Sequence, residues 1–492
     1  MKPLLITLYM YCCLLPAAIA QVLPAPRLLA DFCPGEQQQG QLCGGAPYFM
    51  QQYNGRLMLS GFNGQRGNLH GYDGLTEMYA YPYPKVWLSQ PSYAVIDSVF
   101  YFTNYFNGPA TQEKEIYAWD GSNTPGRITY IHPDGHSDPS ELTVLNGVLY
   151  FTATDDTGYG LYEFNPETGA TIRLNNLHAI GTTAYNGNLY FSARGASGVE
   201  LYAYNPLTGA SLLLADLNPG PGDSYPQSFL IANSRLYFMA TTAAYGREIY
   251  MYDGTTQPIR LTDIARGPGN GIGSANGADM TYYNNKLYFT GSMTGSEPYD
   301  LWSYDIVTNT PARAAGLYTA NITEARSFTV YNGKVFFPGY NRLQNLNHLY
   351  TYDIYTGMVQ QVPDPAFSRG FTAYLQYVYK DALYLSGQTS NYGWELYRYD
   401  DAPPADTTRT IIYPNPATTQ ATIKTTLGGP RTITITISDV SGRIVMRNLA
   451  GTFPSGELEI PIPLTQFAAG VYFVTLYDNI IGALWHDKLV KL

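Results

Sequence analysis

Charge is scarce in this chain. Asp, Glu, Lys and Arg make up 13% of 492 residues, about half the usual share of a soluble protein. What charge there is leans acidic, with 38 acidic against 28 basic side chains and a net charge of −10. No block of Lys or Arg occurs anywhere. A nucleic-acid partner needs a basic stripe to neutralise phosphates, so that class is excluded, and an anionic membrane surface is disfavoured for the same reason. Uninterrupted apolar runs of about 18 residues are missing too, so no transmembrane segment is expected. The chain has no Gly-x-Ser-x-Gly elbow, His-Glu-x-x-His pair, P-loop or dinucleotide fingerprint. His132-Pro133-Asp134-Gly135-His136 reads as an exposed turn more readily than as a metal site. No cofactor is expected, and a structural calcium ion stays open.

The chain is instead rich in Tyr (46) and Gly (48). Many Tyr, Thr, Gly and Asn with few Lys and Glu favour strands and tight turns over helices. At the N-terminus, Lys2, the apolar stretch Leu4 to Leu15 and Ala18-Ile19-Ala20 form a secretory signal peptide over residues 1–20, with the mature chain expected from Gln21. Cys12 and Cys13 would leave with it. The remaining two of the 4 cysteines, Cys33 and Cys43, are expected to form a disulfide in an oxidising compartment.

A turn followed by a short apolar strand recurs eight times, with centres at Met58, Tyr101, Tyr150, Tyr190, Tyr237, Tyr288, Phe336 and Tyr384, 40 to 51 residues apart. Asn-Gly between apolar runs, as at Asn146-Gly147 and Asn186-Gly187, predicts a type I′ hairpin. A second strand follows each, read as Glu77-Met78-Tyr79 in the first repeat, then as Glu115-Ile116-Tyr117, Glu200-Leu201-Tyr202, Glu248-Ile249-Tyr250 and Glu395-Leu396-Tyr397 among others. About 48 residues of β-structure bury too little surface to stand alone, whereas a four-stranded propeller blade is covered on both faces by its neighbours. The fold class is therefore all-β: a β-propeller over residues 21–402 with eight blades, or seven if the irregular first repeat is not a blade. Leu28-Leu29-Ala30-Asp31-Phe32-Cys33-Pro34-Gly35 matches the outer-strand segment Leu213-Leu214-Ala215-Asp216-Leu217-Asn218-Pro219-Gly220 at six of eight positions, and the eighth repeat lacks an outer strand. Residues 26 to 32 are thus expected to supply it and fasten the ring. The segment Glu248-Ile249-Tyr250-Met251-Tyr252-Asp253-Gly254-Thr255 resembles the Glu-Leu-Trp/Tyr-x-x-Asp-Gly-Thr repeats of propeller-like secreted bacterial proteins, which implies architecture without activity.

Residues 403–410 lie in a Pro-rich linker. Beyond it, alternation such as Thr432-Ile433-Thr434-Ile435 predicts strands at 420–426, 431–438, 442–447, 457–462, 470–477 and 486–491, a small Ig-like sandwich over residues 411–492. Tyr413-Pro414-Asn415-Pro416, Asp439-Val440-Ser441-Gly442-Arg443, Gly470-Val471-Tyr472-Phe473-Val474 and Lys488-Leu489-Val490-Lys491-Leu492 occur there in order. This segment resembles the type A C-terminal sorting domain of the type IX secretion system, with Pro414, Asn415, Pro416, Gly442, Gly470, Tyr472, Lys488 and Lys491 on its motifs. The resemblance implies passage through the periplasm, a translocon that reads the domain and a sortase that removes it. The passenger is then released or held at the outer-membrane surface.

The recurring glutamates suit the architecture better than catalysis, since a residue repeated in blade after blade serves the fold. Broken symmetry is the better guide. The span from the first to the second motif is 20 residues in the first repeat and 15 in the second, against 11 to 13 in the others. Loops there and at 217–226 and 264–279 nominate Arg66, His70, Tyr72, Asp73, Tyr105 and Arg266 as ligand-binding residues. The expected function is a secreted or surface-displayed binding or adhesion propeller for a glycan or protein. A polysaccharide-active hydrolase or lyase on the same scaffold is the alternative.

Overall fold

The computed structural model describes residues 23–492 except 33–36, 39–40, 43–44, 46, 63–66, 75–77, 86–91, 106–113, 123, 133–136, 274–279, 297–298, 367, 401–409, 428–430, 440–443, 454–455 and 479–481. Residues 1–20 and both Cys33 and Cys43 lie outside the described residues. Among the described residues the regular structure is all strand, and no helix is long and apolar enough to cross a membrane.

Between Arg27 and Tyr399 the chain forms successive antiparallel sheets, one per repeat, counted here along the chain. Each has four strands except the seventh, where Ile322–Thr323 and Thr329–Tyr331 both pair with Lys334–Asn341. The turn between the first two strands places its leading residue at positive φ in every repeat: Asn54, Asp97, Asn146, Asn186, Asn233, Asn284, Asn332 and Lys380. Mirror-image turns of this kind match the twist of the strands they join, and Asn and Gly adopt them at the least cost.

Leucine and aromatic residues on the second and third strands pack against the neighbouring sheet. Phe100 and Trp119 of the second sheet meet Phe49 and Met58 of the first, and Phe238 and Tyr252 of the fifth meet Tyr190 and Leu201 of the fourth. The series returns to its start, since Tyr384 and Leu396 of the eighth sheet share a core with Leu57 and Tyr72 of the first. A repeated hydrogen bond reinforces these contacts. A tyrosine at the end of an innermost strand donates its hydroxyl to a turn carbonyl of the next sheet: Tyr53 to Ser98 (2.6 Å), Tyr185 to Ser234 (2.8 Å), Tyr331 to Asp381 (2.7 Å) and, from last sheet to first, Tyr379 to Gly55. These four tyrosines serve twice, because the ring fills the core while the hydroxyl satisfies a turn.

Arg27–Ala30 takes the outer place of the eighth sheet, antiparallel to Trp394–Tyr399. Leu28 faces Tyr397 and Ala30 faces Leu396, with a bulge between. The fourth sheet repeats this register, with Leu213 facing Tyr202 and Ala215 facing Leu201.

The first sheet corrects the reading of its repeat. Its third strand is Gly67–Tyr72, and Met78–Lys85 is the outermost. The motif equivalent to Glu248-Ile249-Tyr250-Met251-Tyr252-Asp253-Gly254 is therefore Asn68-Leu69-His70-Gly71-Tyr72-Asp73-Gly74, not Glu77-Met78-Tyr79. Leu69 stands 11 residues from Met58, so this span of the first repeat lies within the ordinary range.

The described residues of 411–492 form two facing sheets with a shared core. One orders Ile411–Tyr413, Gln420–Leu427 and Gly456–Pro463, and the other orders Ile444–Phe453, Arg431–Asp439, Gly470–Asp478 and Gly482–Lys491. Ile423 and Ile462 of the first pack on Ile433, Ile435 and Val474 of the second. The strand Ile411–Tyr413 comes in addition to the six expected.

Candidate functional site

The glutamates of the third strands are buried, and each is tied to the chain leaving its own sheet. Glu200 accepts from Leu217 N (2.8 Å) and Ser224 Oγ (2.5 Å), and Glu248 from Thr262 Oγ1 (2.5 Å) and Ile264 N (3.1 Å). Glu115 holds Thr129 Oγ1 (2.6 Å) and Arg127 (3.0 Å). Glu395 accepts from Phe32 N (2.8 Å) and Gly45 N (3.0 Å), so it clasps the N-terminal segment as Glu200 clasps its own loop. Burial pushes Glu248 and Glu395 up to about 7, against the opposing pull of these donors. Raised acids of this kind invite a catalytic reading, yet Glu115, Glu248 and Glu395 spend both oxygens on the scaffold and Glu200 spends its Oε2 there, with Oε1 buried.

Other repeats fill the position differently. Asp300 accepts from Tyr318 N (3.1 Å), and Gly160 leaves room that Arg173 occupies. In the seventh sheet the position is His348, 2% exposed, with Nδ1 2.8 Å from Asp364 Oδ1. The other Asp364 oxygen accepts from Gly370 N (2.9 Å), and Phe371 N donates to Asn347 O (2.8 Å). This exchange of Glu for a His–Asp pair shapes the loop that leaves the seventh sheet. Gly370 sits at φ +78 with its missing Cβ 3.1 Å from Asn347 O, so a larger residue would strain the turn.

Above that loop lies a cavity of about 310 Å³ between the seventh and eighth sheets. The seventh-sheet hairpin contributes Tyr340, Asn345, Leu346 and Asn347, the connecting loop Arg369 and Gly370, and the first strand of the eighth sheet Thr372. Gln388, Thr389 and Ser390 of the eighth-sheet hairpin complete it. Strand order places these hairpins and the inter-sheet loops on one face. Among the described residues the lining combines amides and hydroxyls with Leu346, the Tyr340 ring and a single charge, Arg369. Tyr340 is fixed by donating to Asn345 Oδ1, and Ser390 Oγ accepts from Arg369 N (3.4 Å).

The residues nominated from sequence fall elsewhere. His70 and Tyr72 are buried in the third strand of the first sheet, and burial pushes the His70 imidazole down. Asp73 follows them, its carbonyl accepting from Lys380 Nζ (2.6 Å). Tyr105 ends the second strand of its sheet, Arg266 is exposed between the fifth and sixth sheets, and Arg66 lies outside the described residues. Among the described residues no group of three or more His, Cys, Asp and Glu side chains is gathered as a metal would need.

In the C-terminal segment the first and last sorting motifs meet. Asn415 Nδ2 donates to Lys488 O (2.6 Å) and Asn415 Oδ1 accepts from Val490 N (2.9 Å), while Ala417 N donates to Val490 O (2.9 Å). The exposed Pro414-Asn415-Pro416 turn thus grips the terminal strand. Gly470 faces Lys491 across the sheet, and Tyr472 donates to Ala468 O (3.0 Å). Gly442 lies outside the described residues.

Residues 411–490 match the secretion system C-terminal sorting domain family, and this segment is a type IX sorting domain. It marks the chain for secretion or surface attachment and implies interaction with the type IX machinery. No curated protein matches the chain. Among solved structures it is similar to PorZ, an essential bacterial surface component of the type IX secretion system of Porphyromonas gingivalis, at 12% identity and TM-score 0.28 over 92% of this chain and 75% of that one. It is also similar to a puromycin-hydrolyzing peptidase of Mycobacterium tuberculosis, at 11% identity and TM-score 0.45 over 74% of this chain and 60% of that longer one. A third is the β-propeller domain of the Trilobed protease of Pyrococcus furiosus, at 12% identity and TM-score 0.41 over 67% of this chain and 99% of that domain.

Proposed function

We propose that this type IX-exported chain is a binding protein that works outside the cell, an eight-bladed β-propeller joined to an Ig-like sorting sandwich. Residues 1–20 leave as a signal peptide, Arg27–Ala30 fastens the ring, and a sortase removes the tail after the linker. The ligand, a glycan or an extracellular protein, sits on the face carrying the hairpins between second and third strands. The observation that carries this reading is the 310 Å³ cavity between the seventh and eighth sheets. It lies where the repeat exchanges glutamate for His348 and Asp364, and loops held on a rigid scaffold are where recognition concentrates.

The test is a screen of the intact mature protein against immobilised glycans and extracellular-matrix proteins, repeated with Ser390→Trp. Ser390 is exposed at the cavity rim, so the indole should fill the space without disturbing the core. Binding should fall at least about tenfold at an unchanged melting temperature. Full binding by the variant would place the site elsewhere.

A further inference from the structure

We infer that the cavity between the seventh and eighth sheets takes an anionic saccharide, with Arg369 meeting its acidic group and the surrounding amides meeting its hydroxyls. This deepens the proposal above and rests on it.

The chemistry of the lining narrows the ligand class. Pockets for drug-like molecules are mostly apolar with a few polar groups, and here polar surface is nearly equal to apolar surface. Leu346 and the Tyr340 ring are the apolar surfaces of consequence, while Asn345, Asn347, Gln388, Thr372 and Ser390 bring amides and hydroxyls. Each such group both donates and accepts. A sugar hydroxyl does the same, so a ring carrying several of them matches this lining in either sense. An acyl chain or an apolar peptide anchor would leave the amides without partners, which is costly once water is displaced. A volume of about 310 Å³ suits one or two sugar rings with the rest of a chain running out along the face.

The charge of the site is carried by Arg369. Several arginines elsewhere in the propeller are paired with carboxylates, among them Arg194 with Asp223 (2.8 Å), Arg313 with Asp300 (2.7 Å) and Arg398 with Asp400 (2.7 Å). Arg369 makes no ion pair with a described residue, although its backbone is held by Ser390. Asp364 lies five residues before it, but both Asp364 oxygens are engaged, one by His348 and the other by Gly370 N. Among the described residues no carboxylate lines the cavity. In a chain of net charge −10, overall electrostatics repel an anion, so a preference for one must arise locally. A guanidinium fork presents paired donors to a carboxylate or a sulfate, and the neutral groups around it select the sugar that carries the acid.

Titration calorimetry of the intact mature protein with three probes tests this: trigalacturonate, its fully methyl-esterified counterpart, and a sulfated heparin disaccharide. At least one acidic probe should bind about tenfold or more tightly than the ester, and Arg369→Gln should lower that affinity roughly ten- to a hundredfold. The ester's binding should stay unchanged, and Arg369→Lys should recover part of the loss. A preference for the sulfated probe over trigalacturonate would identify the acid as a sulfate ester, and the reverse as a carboxylate. Equal binding of acid and ester, insensitive to Arg369→Gln but abolished by Ser390→Trp, would overturn the anionic reading and leave the binding site standing. If no saccharide binds and Ser390→Trp leaves the capture of matrix proteins intact, the binding site itself is refuted.

Discussion

The fourth and eighth sheets are built alike from differently connected chain. In the fourth, the outer strand Ala210–Ala215 follows its neighbour through a tight turn. In the eighth, the outer strand Arg27–Ala30 comes from the other end of the repeat region, more than 360 residues away from the strand it pairs with. Register, bulge and glutamate clasp are nevertheless the same, with Glu200 to Leu217 N and Glu395 to Phe32 N both at 2.8 Å. Closure therefore reuses the repeat instead of adding a special device. The free-energy difference lies in the unfolded chain, since bringing distant ends together costs more loop entropy than a turn does. The eighth sheet should be the weaker of the two for that reason, although their contacts match.

Removing residues 23–32 breaks the comparison most completely. It takes away the outer strand and the buried Leu23, leaving Glu395 without its Phe32 donor and the eighth sheet with an open edge. The melting temperature should fall by about 10 °C or more, read by calorimetry. Next in size is the loss of a clasp. Glu395→Ala takes the carboxylate acceptor from Phe32 N and Gly45 N, and Glu200→Ala takes it from Leu217 N and Ser224 Oγ, at about 2–4 kcal/mol each. Chemical denaturation should rank Glu395→Ala as the costlier, because the strand it releases is held by less covalent constraint.

A change of pH sharpens the comparison without mutation. Glu395 and Glu248 are raised to about 7 from the 4.5 of an exposed glutamate. Between those values the folded protein keeps protons that the unfolded chain has released. The associated stability is present in full below pH 4.5 and is lost as pH rises through 7. Melting temperature should thus fall from pH 5 to pH 8, and Glu395→Gln should flatten part of that slope. The smallest effect is expected from Tyr379→Phe, which deletes one hydroxyl-to-carbonyl bond to Gly55 between last and first sheets, at about 1 kcal/mol. Tyr185→Phe, its counterpart between the fourth and fifth sheets, should cost about the same.

Much of this fold was legible because its signals are local. Asn-Gly turns announce hairpins through their backbone geometry, and the N-terminal strand declares itself by repeating Leu-Leu-Ala-Asp. The first repeat misled because Asn68 replaces the expected Glu and His70 the expected Tyr, while Glu77-Met78-Tyr79 imitates the motif one strand later. Tyr72-Asp73-Gly74, matching Tyr252-Asp253-Gly254, was the signal that would have set its register. The cavity was illegible for a different reason. Its lining comes from three segments of unremarkable Asn, Gln, Ser and Thr, brought together only by packing the seventh sheet on the eighth. The substitution of His348 at a glutamate position was visible in the sequence and marks the spot. In the sorting domain the first and last motifs were legible from their order along the chain, whereas their meeting at Asn415 was not.

The most direct measurement of ring closure is a cross-link across the paired strands. Arg27 and Arg398 stand opposite each other in the register, where Cβ atoms of facing residues come within disulfide reach. The double variant Arg27→Cys, Arg398→Cys, oxidised and mapped by peptide mass spectrometry, should contain an intramolecular 27–398 bridge and melt no lower than the parent. A bridge that fails to form, or one that joins only separate molecules, would contradict a ring fastened by its own N-terminal strand.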